Sequence, residues 1–349
     1  MTKRLTIALD AMGGDLAPTM VVEGAALAVN RFPHVDFLFF GDEERLAPLV
    51  AAHPHLSKTS TIYHADDVVT ADDKPSVALR SRRQSSMRLA IDAVKDKGAN
   101  AVVSAGNTGA LMAISKVVLK TLEGIDRPAI ASSFPTVRGS TCMLDLGANV
   151  QCTAENLVQF AVMGEVFART VLGVDKPTIG LLNIGVEELK GHYEVREAAA
   201  ILRASDLPIE FYGFIEGDDI PAGTVDVVVT DGFSGNISIK TMEGSVRFFA
   251  DFMRNALTSS IFARIGAVLA RGAIARMRAR LDPRHHNGAI LMGLNGIVVK
   301  SHGGTDALGF DHAIEVAVGM VDNDFFAKMS QDFERLQADQ AHSAAAAVS

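Results

Sequence analysis

The sequence predicts an α/β protein: a mostly parallel sheet with helices on both faces. Three observations predict it. Short apolar runs of strand length end, eight times along the chain, in a cluster of Gly, Asn or Asp. Helix-patterned stretches fill the intervals, an alternation that parallel βαβ units produce. The composition agrees. Thirty glycines, 6% aromatics and no Trp suit many tight strand-to-helix turns, and 48% hydrophobic with 21% charged residues marks a globular chain.

In chain order, LTIALD (5–10) leads into AMGGD, FLFF (37–40) into GDEE and AVVS (101–104) into AGNTGA. CMLDL (142–146) leads into GANVQ, TIGLL (178–182) into NIGVEELKG and EFYGFI (210–215) into EGDD. DVVVT (226–230) leads into DGFSGN and IVVK (297–300) into SHGGTD. Such continuous apolar runs fit strands covered on both faces. Helical patterns occupy 87–97, 110–120, 157–172 and 195–204, and a further helix is expected after DGFSGN with Lys240 in its first turns. No short repeat is present, which argues against a solenoid. In an open parallel sheet these loops share the carboxyl edge, where ligands bind. Polar residues from separate loops are therefore expected to converge on one crevice, several at helix N-termini that attract anions.

One segment breaks the alternation. Residues 254–284 hold seven arginines (254, 264, 271, 276, 278, 280, 284) against Asp282 alone, so the segment is +6 in a chain of −8. Ile261, Phe262, Ile265, Val268 and Leu269 form a helical apolar stripe, and Gly272 is a candidate break before a second arm carrying Ile274, Met277 and Leu281. Two readings are open for this hairpin: a stripe packed on the core with solvated arginines, or an interfacial pair of helices that meets anionic lipid or an acidic protein.

The rest of the sequence sets bounds. Two cysteines, Cys142 and Cys152, exclude a disulfide scaffold and point to a reducing cytosol. With no His near them and the wrong spacing, no metal is expected. The first residues, MTKRLTIALD, read as strand one rather than a leader. No run reaches the roughly 18 apolar residues that span a bilayer. The acidic balance argues against nucleic-acid binding.

The strand-end loops carry the chemistry. Asp10, Gly13, Gly14 and Asp15 form the first; this is not GxGxxG, so no nicotinamide cofactor is expected. Ser104, Gly106, Asn107, Thr108 and Gly109 offer hydroxyls, an amide and N–H groups without a carboxylate. They make either an anion site or an ordinary turn. Asp145, Gly147, Ala148 and Asn149 follow, then Asn183, Gly185, Glu187, Glu188, Lys190 and His192. Lys190 either neutralises an anion or pairs with Glu187 or Glu188. Asp231, Gly235 and Asn236 end the seventh strand, and His302, Gly303, Gly304 and Asp306 the last. His302 is open between a structural and a chemical role. No nucleophile elbow, zinc pair or kinase signature appears, which suits a nucleophile supplied by the substrate.

Seven stretches together, ALDAMGGDLAP, SAGNTGALMA, IDRPA, LDLGANV, LLNIGVEELKG, VVVTDGFSGN and NGAILMGLNGIVVKSHGG, resemble the bacterial phosphate acyltransferase (PlsX) family from about residue 4 to 330. The resemblance implies an αβα sandwich related to phosphotransacetylases and isocitrate-type dehydrogenases, usually homodimeric. It implies transfer of a long acyl chain from acyl carrier protein to inorganic phosphate, without a cofactor, giving acyl phosphate for a downstream membrane acyltransferase. It also implies a cytoplasmic protein held peripherally at the membrane through its amphipathic helical region. The expected organisation is one catalytic domain from 1–245 and 285–333, a hairpin at 246–284 and a flexible tail at 334–349. One departure stands at Gln151, where the family often has an acid, so 151 is given no role.

On this reading phosphate is the nucleophile. Lys190, Asn236 and the N–H groups after Gly235 are candidate oxyanion or phosphate donors, and His302 is the candidate proton donor to the leaving thiolate. Asp231, a carboxylate beside a bound anion, is expected to orient its loop. The acidic carrier is expected to meet either Arg80, Arg82, Arg83 and Arg88 or the hairpin arginines Arg264, Arg271, Arg276, Arg278 and Arg280. The alternatives are a phosphotransacetylase acting on short-chain acyl-CoA, an oxidoreductase of related fold, and a non-catalytic regulator binding carrier protein and membrane.

Overall fold

The computed structural model describes residues 4–335 apart from 206 and 208, and leaves out the side chains of 278, 280, 281 and 283. The tail expected from 334 lies outside the described residues from 336 onward. Eleven strands form one sheet: β1 (Leu5–Asp10), β2 (Val35–Gly41), β3 (Ser60–His64), β4 (Ala101–Ser104), β5 (Ala129–Pro135), β6 (Ser140–Leu144), β7 (Thr178–Leu182), β8 (Glu210–Ile215), β9 (Val227–Val229), β10 (Ala289–Met292) and β11 (Ile297–Lys300). Their order is β3-β2-β1-β4-β11-β10-β5-β6-β9-β7-β8. All eight expected runs are strands. β3, β5 and β10 are additional.

Alternate residues of each strand feed opposite faces, as the pleat requires. Ile7, Leu9, Val103, Leu144, Val227 and Val229 enter one large core that runs the whole sheet beneath the helices Thr19–Arg31, Ala154–Thr170 and Ala307–Asp322. On the other face the apolar residues split into two clusters. Ala8, Val102 and Val298 pack under Ser86–Lys95 and Thr108–Leu119. Ile130, Met143 and Val228 pack under the start of Gly232–Thr258. Met112 lies against both clusters. Helices on both faces of a sheet with seven parallel and three antiparallel pairings make an αβα sandwich.

The three antiparallel pairings correct the expectation of a single carboxyl edge. β3, β2, β1, β4 and β11 run one way. β10 reverses, β5 reverses again, and β6, β9, β7 and β8 run opposite to the first block. The loops after β1, β4 and β11 therefore lie at one end of the ladder and those after β6, β7 and β9 at the other. A right-handed twist of roughly 20–25° per neighbouring strand accumulates to roughly 100° between β4 and β9. Such a twist turns the two carboxyl edges away from a strictly back-to-back setting.

The hairpin grows from the site itself. The helix Gly232–Thr258 has 27 residues, roughly 40 Å at 1.5 Å per residue. Only Gly232, Gly235 and Ile239 of it are buried. Ile261–Leu269 and Arg271–Leu281 return the chain; the break falls at Ala270, and Gly272 lies inside the second of these helices. Arg284 ties the base to the body through Asp306 at 2.9 Å.

Candidate active site

At the first edge Asp10 is the hub. It is 1% exposed, with Ser86 Oγ donating to Oδ1 and Ser104 Oγ to Oδ2, each at 2.6 Å. Burial pushes its carboxyl above the usual range, against the pull of the two hydroxyls, the Met12 N–H and the Lys300 charge. A Cβ on Gly13 would lie 2.5 Å from Asp10 Oδ2 and 2.7 Å from Gly106 N, so the first two loops touch only because residue 13 has no side chain. Gly14 stands at φ +105°. Asp15 N–H donates to Gly303 O at 2.9 Å, which joins the third loop to the first.

Asn107 caps the helix Thr108–Leu119, its Oδ1 accepting from Ala110 N–H at 3.0 Å. Its Nδ2 donates to Ala71 O at 2.8 Å and Asp73 O at 3.1 Å, so residues 70–75 strap across the helix start. Thr108 and Gly109 remain exposed. His302 is exposed too. Its backbone N–H donates to Asn287 Oδ1 at 2.9 Å, and its Nδ1 accepts from Gly304 N–H at 3.2 Å. In the neutral ring that contact leaves the proton on Nε2, which is then a donor.

At the second edge Asp145 plays the corresponding part. Oδ1 accepts from the N–H groups of Ile130 (3.0 Å), Gly147 (3.1 Å) and Ala148 (3.0 Å). Oδ2 accepts from Asn149 N (2.7 Å) and Nδ2 (2.9 Å). Burial raises this carboxyl while those donors pull it down. Asp10 and Asp145, both expected to face substrate, are instead buried organisers, with every oxygen of both held by an internal donor.

Asp231 is the N-cap of Gly232–Thr258, accepting from Ser234 N–H at 2.8 Å and Ser234 Oγ at 3.0 Å. The helix thus begins at Gly232, not after Asn236. This corrects the expectation for the N–H groups after Gly235, which are spent on the helix ladder. Gly235 is likewise a packing residue: it is buried, its N–H donates to Asp231 O at 2.9 Å, and a Cβ there would lie 1.9 Å from Asp145 O. Asn236 is exposed on the first turns, its Nδ2 donating to Leu146 O at 3.2 Å. Asn183 Nδ2 closes the neighbouring loop onto Lys190 O at 3.1 Å. Lys190 is exposed, and among the described residues its ammonium makes no ion pair; Glu188 reaches Arg203 instead at 3.5 Å.

The structure thus gathers Asp10, Gly13, Gly14, Ser104, Gly106, Asn107, Thr108, Gly109, His302 and Gly303 at one edge. It gathers Asp145, Asn149, Asn183, Lys190, Asp231, Gly235 and Asn236 at the other. Lys190 and Asn236 are neighbours in strand order, and His302 belongs to the opposite edge. Of the arginine patch, Arg82 is tied to Asp67 at 2.8 Å and Asp73 at 3.4 Å, and Arg88 to Asp92 at 2.9 Å. Arg80 and Arg83 stay exposed. Arg264, Arg271 and Arg276 are exposed on the hairpin; the side chains of Arg278 and Arg280 lie outside the described residues.

Sequence reasoning missed Ser86, Asn287 and Lys300. Ser86 is a helix residue with no strand-end loop around it, and Asn287 opens the NGAILMG stretch ahead of a strand rather than after one. Lys300 had a signal: a lysine closing the β-branched run IVVK. Neither cysteine is a thiolate nucleophile. Burial raises Cys142, and burial with the charges of Asp145 and Asp231 pushes Cys152 up to about 12. Among the described residues no group of three or more His, Cys, Asp or Glu side chains could hold a metal ion.

Comparison with known proteins agrees with this architecture. A family model described as fatty acid synthesis protein matches residues 5–328. A phosphate acyltransferase from Rhodospirillum centenum is 61% identical over 338 residues, 97% of this chain and 95% of the relative. One from Rhodospirillum rubrum is 56% identical over 337 residues, 97% of each. Among solved structures, a phosphotransacetylase from Streptococcus pyogenes has a TM-score of 0.64 at 18% identity, covering 92% of this chain and 95% of that one. A branched-chain phosphotransacylase from Enterococcus faecalis has 0.57 at 14%, covering 91% and 99%. Those likenesses concern the fold. The sequence match, nearly end to end, goes further: the chain belongs to the fatty acid synthesis protein family, among relatives named phosphate acyltransferase.

Proposed function

We propose that the chain transfers a long-chain fatty acyl group from acyl carrier protein to inorganic phosphate, forming acyl phosphate for phospholipid synthesis. The observation that carries this reading is the pairing of a family match over residues 5–328 with two polar strand-end edges that contain no activated nucleophile of their own. Phosphate supplies the nucleophile. One of its oxygens attacks the thioester carbon and the C–O bond forms. The tetrahedral oxyanion collapses, the C–S bond breaks, and the carrier thiolate takes up a proton. Lys190 and Asn236 stabilise the anionic oxygens. His302, with its proton on Nε2, protonates the sulfur. Exposed Thr108 and Gly109 at a helix start favour an anion at the first edge.

The hairpin gives the donor and product a surface. Phe262 is 82% and Leu269 84% exposed, and Phe248, Phe249 and Phe252 form a second exposed stripe on the outgoing helix. The stripe that could have packed on the chain's own core does not. Apolar side chains beside Arg264, Arg271 and Arg276 suit the headgroup boundary of an anionic cytoplasmic membrane, and the phenylalanine stripe suits a second copy in a homodimer. Among the described residues no helix is long and apolar enough to cross a membrane.

The test is acyl-phosphate formation from palmitoyl carrier protein and phosphate, trapped with hydroxylamine, in competition with acetyl-CoA. The reading expects the C16 carrier donor to dominate. Preference for acetyl-CoA would replace it with the short-chain phosphotransacetylase alternative.

A further inference from the structure

Lys300 is 9% exposed at the end of β11, a rare setting for a lysine. Its Nζ donates to Ala105 O at 3.3 Å and to Ser301 O. These carbonyls belong to the two loops that follow β4 and β11. In a trans peptide the carbonyl and the next N–H point to opposite sides. Here both sides are held. Gly106 N–H donates to Ser104 Oγ at 3.0 Å, and His302 N–H to Asn287 Oδ1 at 2.9 Å. Asn287 Nδ2 in turn donates to Ser301 Oγ at 2.8 Å. The peptide planes 105–106 and 301–302 are therefore held on both sides, and the Lys300 ammonium donates to a carbonyl of each loop.

The acids facing the ammonium are Asp10 from β1 and Asp15 from the turn after it. Burial still outweighs them and draws the lysine down to about 8. An apolar side chain would fill the same space without that desolvation cost, but it could not bind two carbonyls at once. The two held loops carry exposed His302 on one and the Asn107–Thr108 helix start on the other.

We propose that Lys300 is a positioning residue for acyl transfer: by binding the Ala105 and Ser301 carbonyls it fixes His302 relative to the anion-attracting helix start. The inference rests on the functional reading above and on His302 as proton donor. It acts on the chemical step, so it appears in kcat.

The experiment compares wild type, Lys300→Met, Lys300→Ala, His302→Ala and the Lys300→Met/His302→Ala double variant, each checked for folding by circular dichroism and melting. In Lys300→Met, kcat for acyl-phosphate formation should fall by about 10²-fold, the scale of a misplaced catalytic group. KM for phosphate should stay within about threefold, since the loss falls on the transition state and ground-state binding of phosphate is spared. The double variant should be no slower than His302→Ala alone, because both act through one group. Lys300→Ala lacks a propylamine's worth of side chain, so propylammonium should restore its rate and 1-propanol should not. A rate retained in folded Lys300→Met, equal rescue by propanol, or additive losses in the double variant would overturn the inference while leaving the acyl-transfer reading in place. A wild type that forms no acyl phosphate would overturn both.

Discussion

At Gly235 a single methyl group decides whether the second edge can close. A Cβ there would sit 1.9 Å from Asp145 O, a backbone atom that cannot swing aside. Gly235→Ala is expected to cost about 3 kcal/mol, the upper range for forced overpacking. At Gly217 nothing lies within 4 Å of an added Cβ, so Gly217→Ala should stay within about 0.5 kcal/mol of wild type. Urea unfolding of the two variants checks both. The loop DGFSGN also shows what a sequence conceals. Its residue types announce a special strand end, but a glycine that offers an N–H and a glycine that makes room look alike until the partner strand is known. Asn236 and Lys190 stand out in the sequence as polar side chains on such loops, and the structure leaves both exposed at the second edge. Asp10 and Asp145 were legible as important and misread as contacts, since burial is set by the neighbouring loops. Lys300 adds a test in pH. Its folded pKa of about 8 lies below the ordinary 10.5, so between those values the unfolded chain holds a proton that the folded chain releases. Stability contributed at this residue should therefore rise with pH from about 8 to about 10.5. Melting wild type beside Lys300→Met across that window reads it; a difference that falls or stays flat contradicts the burial of the charge.

Among elements, the strands that sequence reasoning found and missed divide by environment. The eight found are apolar runs that open or close a βαβ unit. The missed ones are β3, a half-exposed edge strand, and β5 and β10, which reverse direction and lack the strand–loop–helix punctuation. The three antiparallel pairings these strands make decide where the loops go, and strand–helix alternation carries no signal for them. The hairpin was legible from charge and periodicity, but its true first arm, the helix Gly232–Thr258, was hidden because it begins inside the site loop. That continuity links the apolar stripe to Asn236. Replacing Phe262 and Ile265 together by Asp should abolish flotation with anionic vesicles, since each buried apolar side chain contributes roughly 1.5–3 kcal/mol to partitioning. Turnover of soluble palmitoyl carrier protein should be retained. Unchanged flotation would remove the hairpin from the membrane.

For the molecule as a whole, two parallel blocks of opposite direction carry one polar edge with His302 and another with Lys190 and Asn236. Lys190→Ala and Asn236→Ala should each lower kcat by about 10²–10³-fold, the cost of one oxyanion donor, with melting curves unchanged. The central claim is that the protein lends position and charge to a nucleophile it does not itself contain. Rapid-quench single turnover of radiolabelled palmitoyl carrier protein, with and without phosphate, tests this most directly. The account predicts label in acyl phosphate when phosphate is present, and none on the protein when it is absent. Stoichiometric label on the denatured protein without phosphate would reveal an acyl-enzyme and contradict it.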